Sequence, residues 1–268
     1  MRCKFKISDR ILAALLFSFL GFNLNAQPLL STYETNNYVS FQQYIYNTDS
    51  LFHTSVRPYM IPELKAAFNY DSVMDLYSFR KLKGKPVGES VFNKNVIRFK
   101  KGDFGFTIDP LFDFSLGSEK LSGENTWTNT RGILVEGYVG ENFAFSTRFY
   151  ENQALFPGYI QHYINTRYVV PGQGDARAFG EAVDYSSASG YISYTPGRHF
   201  NFQLGHGKNF FGDGYRSLML SDHAIYYPYF RINSSIWRFK YVNMWAQFNQ
   251  PDNGIDPGMN TYPVKYGA

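Results

Sequence analysis

The sequence almost lacks cysteine: Cys3 is the single one among 268 residues. One cysteine cannot form an internal disulfide, and it cannot supply the ligand set of a cysteine-based zinc site. Charged residues are scarce as well, at 18% of the chain. Four basic residues and Asp9 among the first ten residues give +3 of the formal net charge of +4, which leaves +1 for the rest. A nucleic-acid binder needs a basic stripe, so that class is excluded.

Long hydrophobic runs are absent too. Residues 11–22 form an apolar run of 12 residues, which is shorter than the roughly 20 that a membrane-spanning helix needs. The run follows a basic start and precedes Ala26, so we expect residues 1–26 to be a signal peptide, with an uncleaved anchor as the disfavoured alternative. Cys3 lies within this segment, so the exported chain would contain no cysteine. Such a chain is typical of a bacterial envelope, and if it enters a membrane it enters as strands.

Aromatic residues, in contrast, are abundant, at 19% of the chain. Residues 27–94 have a mixed pattern, which predicts one helix over residues 62–80 within an N-terminal region. Residues 95–268 have the pattern of strands. In residues 104–116, apolar residues, mostly Phe, alternate with small or polar ones, which is the period of a strand with two different faces.

Three hairpins are predicted in this second part. Their arms are residues 132–139 with 143–150, 189–195 with 200–205, and 226–232 with 236–248. Their turns are residues 140–142, 196–198 and 233–235, which are rich in Gly, Pro, Asn and Ser. The predicted fold class is therefore all-β and antiparallel.

Two architectures fit this pattern, a soluble sandwich and an outer-membrane barrel. The apolar faces are rich in Phe, Tyr and Trp, and the opposite faces carry Gly, Ser, Thr, Asn and Arg. Several segments also reach about ten residues, the length that a tilted strand needs to cross a bilayer. We therefore predict an antiparallel transmembrane β-barrel of the outer-membrane type, with Trp237, Tyr241 and Trp245 in its aromatic girdle.

The densest block, residues 204–245, contains G-x-G-x-N-F-F-G-D-G-Y-R-S-L-x-L-S-D, then Y-P-Y-F-R-I-N and W-x-F-x-Y-x-N-x-W. This block resembles the outer-membrane proteins of the gliding motility protein RemB family, relatives of the Wzi capsule-assembly family, with weaker similarity in residues 104–150 and 159–168. The resemblance implies a barrel in the outer membrane of a gram-negative bacterium that attaches or assembles surface polysaccharide (capsule or slime) or takes part in gliding. Its partners would be outer-membrane lipid, surface polysaccharide and other envelope or motility proteins. Members of that family are longer, so we expect this chain to be an incomplete N-terminal portion of the full barrel.

Six residues of the block are candidates for glycan binding, because sugars are bound by aromatic rings together with amide, carboxylate and guanidinium groups. The candidates are Asn209, Asp213, Tyr215, Arg216, Asp222 and Arg231. An anionic polysaccharide would favour the two arginines, which form charge-assisted contacts. The alternative is that these residues form a salt-bridge network inside the barrel.

Other chemistry is less well supported by the sequence. His206, Asp213, Asp222 and His223 match no metal-ligand spacing, so no metal site is predicted. The carboxylate pairs Asp213 with Asp222 and Glu136 with Asp184 are candidates for a glycosidase only if their separation is right, which spacing along the chain cannot establish. We predict no enzyme activity and no cofactor. The rival functions are a general porin or transporter and a soluble exported β domain that binds or cleaves sugars.

Overall fold

The structure is a computed structural model that describes residues 29–31, 35–49, 51–76, 84, 94–120, 123–249 and 264–267. The predicted signal peptide lies outside these residues. The helices of the described part are α1 (Thr35–Tyr46), α2 (Ile61–Ala67), α3 (Tyr70–Leu76) and α4 (Gly158–Arg167). None of them is long and apolar enough to cross a membrane.

Strands dominate the rest of the described chain, which confirms that the protein is mostly antiparallel β-sheet. They are β1 (Val56–Arg57), β2 (Ile97–Lys101), β3 (Phe104–Ser118), β4 (Asn125–Val139), β5 (Phe143–Leu155), β6 (Val169–Val170), β7 (Gly174–Phe179), β8 (Ala182–Tyr194), β9 (Phe200–Gly207), β10 (Phe210–Phe211), β11 (Tyr227–Ile236), β12 (Phe239–Asn249) and β13 (Val264–Gly267).

One large sheet has the strand order β2-β3-β4-β5-β8-β9-β11-β12-β13, and all its neighbours are antiparallel. The short strand β7 also pairs with β8, and β1 pairs with β10 in a separate small sheet. Among the described residues, β2 and β13 are the two edges of the large sheet and do not pair with each other. The described strands therefore form an open sheet and not a closed barrel.

Two predicted hairpins are confirmed, and their strands are longer than predicted. β4 and β5 flank the three-residue turn 140–142, in which Gly140 has a φ of 61° that suits glycine. β8 and β9 flank residues 195–199.

The third turn was predicted at the wrong position. β11 continues through residues 233–235 to Ile236, and the turn is Trp237-Arg238, with Trp237 at a φ of 56°. The side chain of Asn233 is buried on one face of the sheet, where its Nδ2 donates to Asn201 Oδ1 at 3.0 Å. A polar residue at this position therefore does not mark a turn. The predicted helix over residues 62–80 is also wrong in detail, because the described part of that range contains the two short helices α2 and α3.

The two faces of the sheet differ in chemistry, as the period of two predicts. One row of cross-strand neighbours runs over eight strands on the outer face and is apolar throughout. This outer row consists of Phe99, Phe106, Gly137, Phe145, Ile192, Leu204, Phe230 and Trp245. The row of next residues faces inward and is mixed or polar. This inner row consists of Lys100, Gly105, Tyr138, Ala144, Ser193, Gln203, Arg231 and Met244.

Along these two rows, several apolar side chains of the outer face are exposed, whereas polar side chains of the inner face are buried. In the outer row Leu204 is 61% exposed and Ile192 46% exposed, whereas in the inner row Gln203 and Ser193 are fully buried. The described residues between 29 and 76, which we call the N-terminal module, contact the inner face, as Leu30 does at Tyr191 of β8 and Glu63 at Lys240 of β12. This module has a hydrophobic core of its own, and six of its side chains are buried together. They are Tyr38, Phe41, Ile45, Tyr59, Leu64 and Val73.

The two ends of the sheet differ in the length of their connections. At one end, the turn end, the strands are joined by short turns: 102–103, 140–142, 195–199 and 237–238. At the other end, the loop end, the connections are longer: 119–124, 156–181 and 208–226. The N-terminal module lies toward the turn end, since Glu63 of α2 contacts Lys240 beside the turn at 237–238.

Candidate functional site

A cavity of about 1190 Å³ lies between the inner face of the sheet, the N-terminal module and residues 208–226, which we call the cap segment. Its wall comes from β4, β5 and β8, and its floor includes Leu30 and Pro58 of the module. Tyr215, Arg216 and Asp222 of the cap segment line it from the loop end. The lining combines polar and apolar surface in similar amounts, because hydroxyl, amide and charged side chains lie beside tyrosine rings on the inner face of the strands.

An ion pair between two neighbouring strands lies in the middle of the wall. Arg148 Nη2 lies 3.7 Å from Glu136 Oε1 on the neighbouring strand. The same carboxylate oxygen accepts a 3.2 Å hydrogen bond from Ser146 Oγ. These three side chains are held together because residues 136 and 146 are direct cross-strand partners on the inner face.

Hydrogen bonds between amide and hydroxyl side chains connect the strands in the part of the wall nearer the loop end. Thr130 Oγ1 donates to Asn152 Oδ1 at 2.8 Å, and Asn152 Nδ2 donates to the carbonyl oxygen of Tyr185 at 3.2 Å. These bonds tie β4, β5 and β8 to one another across the cavity wall. The wall is thus a set of oriented polar groups on rigid strands.

Lys208 fastens the cap segment over the cavity. Its ammonium donates to the carbonyl oxygens of Gly172 and of Asp222, the latter at 3.0 Å. The same Nζ lies 5.1 Å from the centre of the Tyr226 ring, a cation–π contact. Burial lowers the pKa of Lys208, and the nearby charge of Asp222 opposes that shift. With three such contacts the ammonium serves to hold two loops together.

Ser217 orders the tip of the cap segment. Its hydroxyl donates to the carbonyl oxygen of Phe211 and accepts hydrogen bonds from the backbone N–H of Met219 at 3.0 Å and of Leu220 at 3.2 Å. This local hydrogen bonding is the usual way in which a serine stabilises a turn. Next to this turn, the Arg216 guanidinium lies 5.8 Å from the centre of the Tyr215 ring.

The structure brings three of the six predicted glycan-binding residues together and separates the other three. Tyr215, Arg216 and Asp222 line the cavity. Asp213 is exposed outside the cavity lining and accepts a 3.1 Å hydrogen bond from Tyr46 of the N-terminal module. The remaining two, Asn209 and Arg231, are buried, do not line the cavity, and bond to each other at 2.7 Å.

The three predicted girdle residues all lie on the outside of the sheet. Tyr241 and Trp245 project from the outer face of β12, and Trp245 stacks on Phe230 with ring centres 5.7 Å apart. Trp237 lies in the turn before β12 and is 82% exposed. The prediction that all three share one strand is wrong for Trp237, because the turn occupies residues 237–238.

Most residues of the cavity wall were not predicted from the sequence. Arg148, Asn152, Tyr185 and Lys208 contribute to the site but were not named as candidates. The alternation of residues 143–150 contained the signal for Arg148, since Ala144, Ser146, Arg148 and Tyr150 share a face. The contribution of β8 could not be found in this way, because its pairing with β5 skips the whole connection 156–181.

Neither metal binding nor the second carboxylate pair gains support from the geometry. Within the part of the chain that the structure describes, no group of three His, Cys, Asp or Glu side chains is placed to hold a metal ion. Glu136 and Asp184 lie on opposite faces of the sheet, because Glu136 is opposite Ser146 and Asp184 is opposite Gln153. Of Asp213 and Asp222, the latter alone lines the cavity.

Comparison with known proteins adds no identification. No family model matches the chain, and no curated protein and no solved structure matches it significantly.

Proposed function

We propose that the protein is an outer-membrane β-barrel that holds or helps to assemble surface polysaccharide, and that it has no enzyme activity. The observation that carries the proposal is the outer row. Eight strands present apolar or aromatic residues at one level, and five of these side chains are more than a third exposed. They are Phe99, Ile192, Leu204, Phe230 and Trp245. An apolar band of this kind, around a polar interior, is the pattern of a sheet that faces lipid.

The connections of the sheet support the same proposal. Transmembrane barrels have short turns on the periplasmic side and longer loops on the outer side. The turn end would then face the periplasm, and the loop end, with the cap segment and the cavity, would face the outside. In this orientation the cavity opens where a surface polysaccharide would be.

A barrel also requires that the edge strands β2 and β13 be paired, because an unpaired backbone is very unfavourable in lipid. The proposal therefore includes further strands beyond those described, as expected for an N-terminal portion of a longer barrel. It also includes export by the predicted signal peptide to the outer membrane of a gram-negative bacterium.

The cavity suits a saccharide ligand. Tyrosine rings can stack on the apolar faces of sugar rings, while hydroxyl, amide and guanidinium groups bind their hydroxyls. Arg216 at the mouth favours an acidic polysaccharide such as a capsule or slime component. The resemblance of residues 204–245 to the RemB and Wzi-like families supports a role in attachment, assembly or gliding, with outer-membrane lipid, surface polysaccharide and other envelope proteins as partners.

Two other functions are the rivals of this proposal. A soluble exported sugar-binding or sugar-cleaving domain would leave the apolar outer row in water, which is unfavourable over so large an area. A general porin or transporter would share the polar interior but would need an open passage through it.

The experiment that tests the barrel is the gel mobility of the native protein from outer-membrane fractions, unboiled against boiled. A closed barrel resists SDS until it is heated, because its strands have no free edge. We expect a heat-dependent shift, and we expect the protein to stay in the membrane pellet after carbonate extraction. Release into the soluble fraction without any shift would contradict the proposal.

A further inference from the structure

The N-terminal module is a separate body within the fold. Its buried core consists of its own side chains, from Tyr38 to Val73, and aromatic pairs such as Tyr38 with Tyr59, 5.3 Å apart, hold it together. Since this core does not depend on side chains of the large sheet, the module can keep its shape when it moves.

Polar contacts join the module to the sheet. Lys240 of β12 donates to both carboxylate oxygens of Glu63 at 2.7 Å. The backbone N–H of Leu30 donates to Tyr191 Oη of β8 at 2.8 Å. Groups of this kind can exchange these partners for water, which apolar contacts cannot do.

The inner face of the sheet beside the module is polar as well. Gln203, Arg231 and Asn233 are almost fully buried. Gln203 Oε1, Asn233 Oδ1 and Arg231 Nε are buried without a hydrogen-bond partner among the described residues. Buried polar atoms of this kind gain hydration when the covering body leaves. The contact region of the module is therefore polar in part, although it also includes the buried ring of Phe210, whose centre lies 4.7 Å from the Arg57 guanidinium.

The module also closes the cavity toward the turn end. Leu30, Ser31 and Pro58 of the module line the cavity floor. The cap segment is attached to the same module, because β10 pairs with β1 and the backbone N–H of Gly212 donates to the carbonyl oxygen of Ser55 at 2.8 Å. A movement of the module would therefore open the floor and loosen the cap segment together.

We propose that the N-terminal module is a displaceable plug, and that its undocking opens a polar passage through the protein for hydrophilic solutes, saccharides in particular. This inference rests on the proposed barrel and goes beyond it, because an attachment protein needs no passage. The Glu63–Lys240 ion pair and the β1–β10 ladder are two of the contacts that keep the plug docked, together with the hydrogen bonds of Leu30 to Tyr191 and of Tyr46 to Asp213.

The test uses single-channel conductance of the native protein in planar bilayers with potassium chloride. Glu63→Gln removes the charge that pairs with Lys240, so we expect the fraction of time in open states to rise about tenfold. Lys65→Gln is the matched control. It breaks the ion pair with Asp71, 2.9 Å long, which is exposed and lies wholly within the module.

A disulfide that can be formed and reduced tests whether the openings come from movement of the module. Val56 and Phe211 are direct antiparallel partners in the β1–β10 ladder, so cysteines at both positions lie within disulfide distance. The one native cysteine, Cys3, lies in the predicted signal peptide. In Glu63→Gln protein, the oxidised pair V56C/F211C should abolish the added openings, and reduction should restore them. The control pair R131C/E151C links β4 to β5 without touching the module and should have no effect.

The outcomes separate the two proposals. The plug proposal is overturned if the added openings persist when the V56C/F211C pair is oxidised. It is also overturned if openings are no more frequent in Glu63→Gln than in Lys65→Gln. Neither result contradicts the proposed barrel. Each sample is also run unboiled and boiled on a gel. If no variant shows a heat-dependent shift, the barrel itself fails, and the plug fails with it.

Discussion

Arg231 Nη1 donates a 2.7 Å hydrogen bond to Asn209 Oδ1 in the interior of the protein. Arg231 is 1% exposed and Asn209 is 0% exposed. The guanidinium of β11 therefore bonds to the start of the cap segment in a region that water does not reach. The backbone N–H of Asn209 in turn donates to Tyr227 Oη at 2.9 Å. The pair therefore attaches the cap segment to the strand that follows it.

Removing the acceptor of this bond should destabilise the fold. We expect Asn209→Leu to lower the free energy of unfolding by about 1.5–3 kcal/mol, because the buried guanidinium loses a charge-assisted hydrogen bond. The measurement is the temperature at which the unboiled protein changes mobility on a gel. Arg216→Ala, at an exposed site, should change stability by no more than about 0.5 kcal/mol. Equal effects of the two changes would contradict the assigned role of the pair.

Arg216 should contribute to glycan binding while a matched arginine should not. We expect Arg216→Ala to weaken binding of purified surface polysaccharide about tenfold, because a charge-assisted contact is lost. Arg238 is the control, since its guanidinium stacks on Trp237 at 5.5 Å much as Arg216 stacks on Tyr215 at 5.8 Å, but at the opposite end of the sheet. Affinities can be measured by surface plasmon resonance. A loss in both variants, or in neither, would refute the proposed mouth of the site.

The depth of the tryptophans in lipid tests the outer row directly. In variants that keep a single tryptophan, Trp245 should be quenched most by lipids brominated deep in the acyl chain, because it lies within the outer row. Trp237, in the turn, should be quenched best by bromines near the headgroups. The readout is fluorescence in reconstituted vesicles. A soluble domain would show no quenching of either tryptophan.

Alkaline pH should loosen the N-terminal module. Burial, together with the nearby carboxylates of Glu136 and Asp71, raises the pKa of Tyr70 from 10.0 to about 12. A phenol whose pKa is higher in the folded state stabilises the fold fully below about pH 10, and this contribution is lost as the pH rises toward 12. Tyr70→Phe should therefore reduce the fall of the urea midpoint between pH 10 and 12. Tyr159→Phe, at a residue 74% exposed, should not.

Close packing between β4 and β5 leaves no room for a side chain at Gly132. A Cβ at Gly132 would lie 2.5 Å from the carbonyl oxygen of Phe149, a backbone atom that cannot move aside. We expect Gly132→Ala to cost about 1–3 kcal/mol of stability through this overlap. Gly197→Ala, where a Cβ meets no atom within 4 Å, is the control. Urea unfolding of both variants gives the comparison, and equal midpoints would show that the strands can separate at little cost.

The alternation of residues predicted the long strands of the sheet at least in part, but it did not say which of their faces is buried. In β3 the period of two is regular, and the structure places its aromatic residues outward, with Phe114 66% exposed. A sequence read alone cannot distinguish an apolar face turned to a core from one turned to lipid, since both exclude water. The misplaced turn at 233–235 has the same origin. Asn and Ser are common in turns, but in β11 they are the polar residues of a covered inner face.

The candidate site could be predicted only in part for a related reason. Asn209 and Arg216 are close in sequence, yet one is buried in the interior and the other lines the mouth of the cavity. A loop of irregular conformation has no period, so the orientation of its side chains cannot be deduced from spacing. The wall residue Arg148 follows from the strand period, but its relation to the cap segment depends on pairings between distant parts of the chain.

The separate core of the N-terminal module has a consequence for the order of folding. The contacts between the module and the sheet join residues 161 and 177 positions apart, as for Leu30 with Tyr191 and Glu63 with Lys240. Closing loops of that length loses more chain entropy than forming a hairpin such as β4–β5, whose strands are adjacent in sequence. The hairpins should therefore form first, and docking of the module should be the last and slowest event. A newly made molecule would pass through a stage in which the strands are assembled and the interior is still accessible from the turn end.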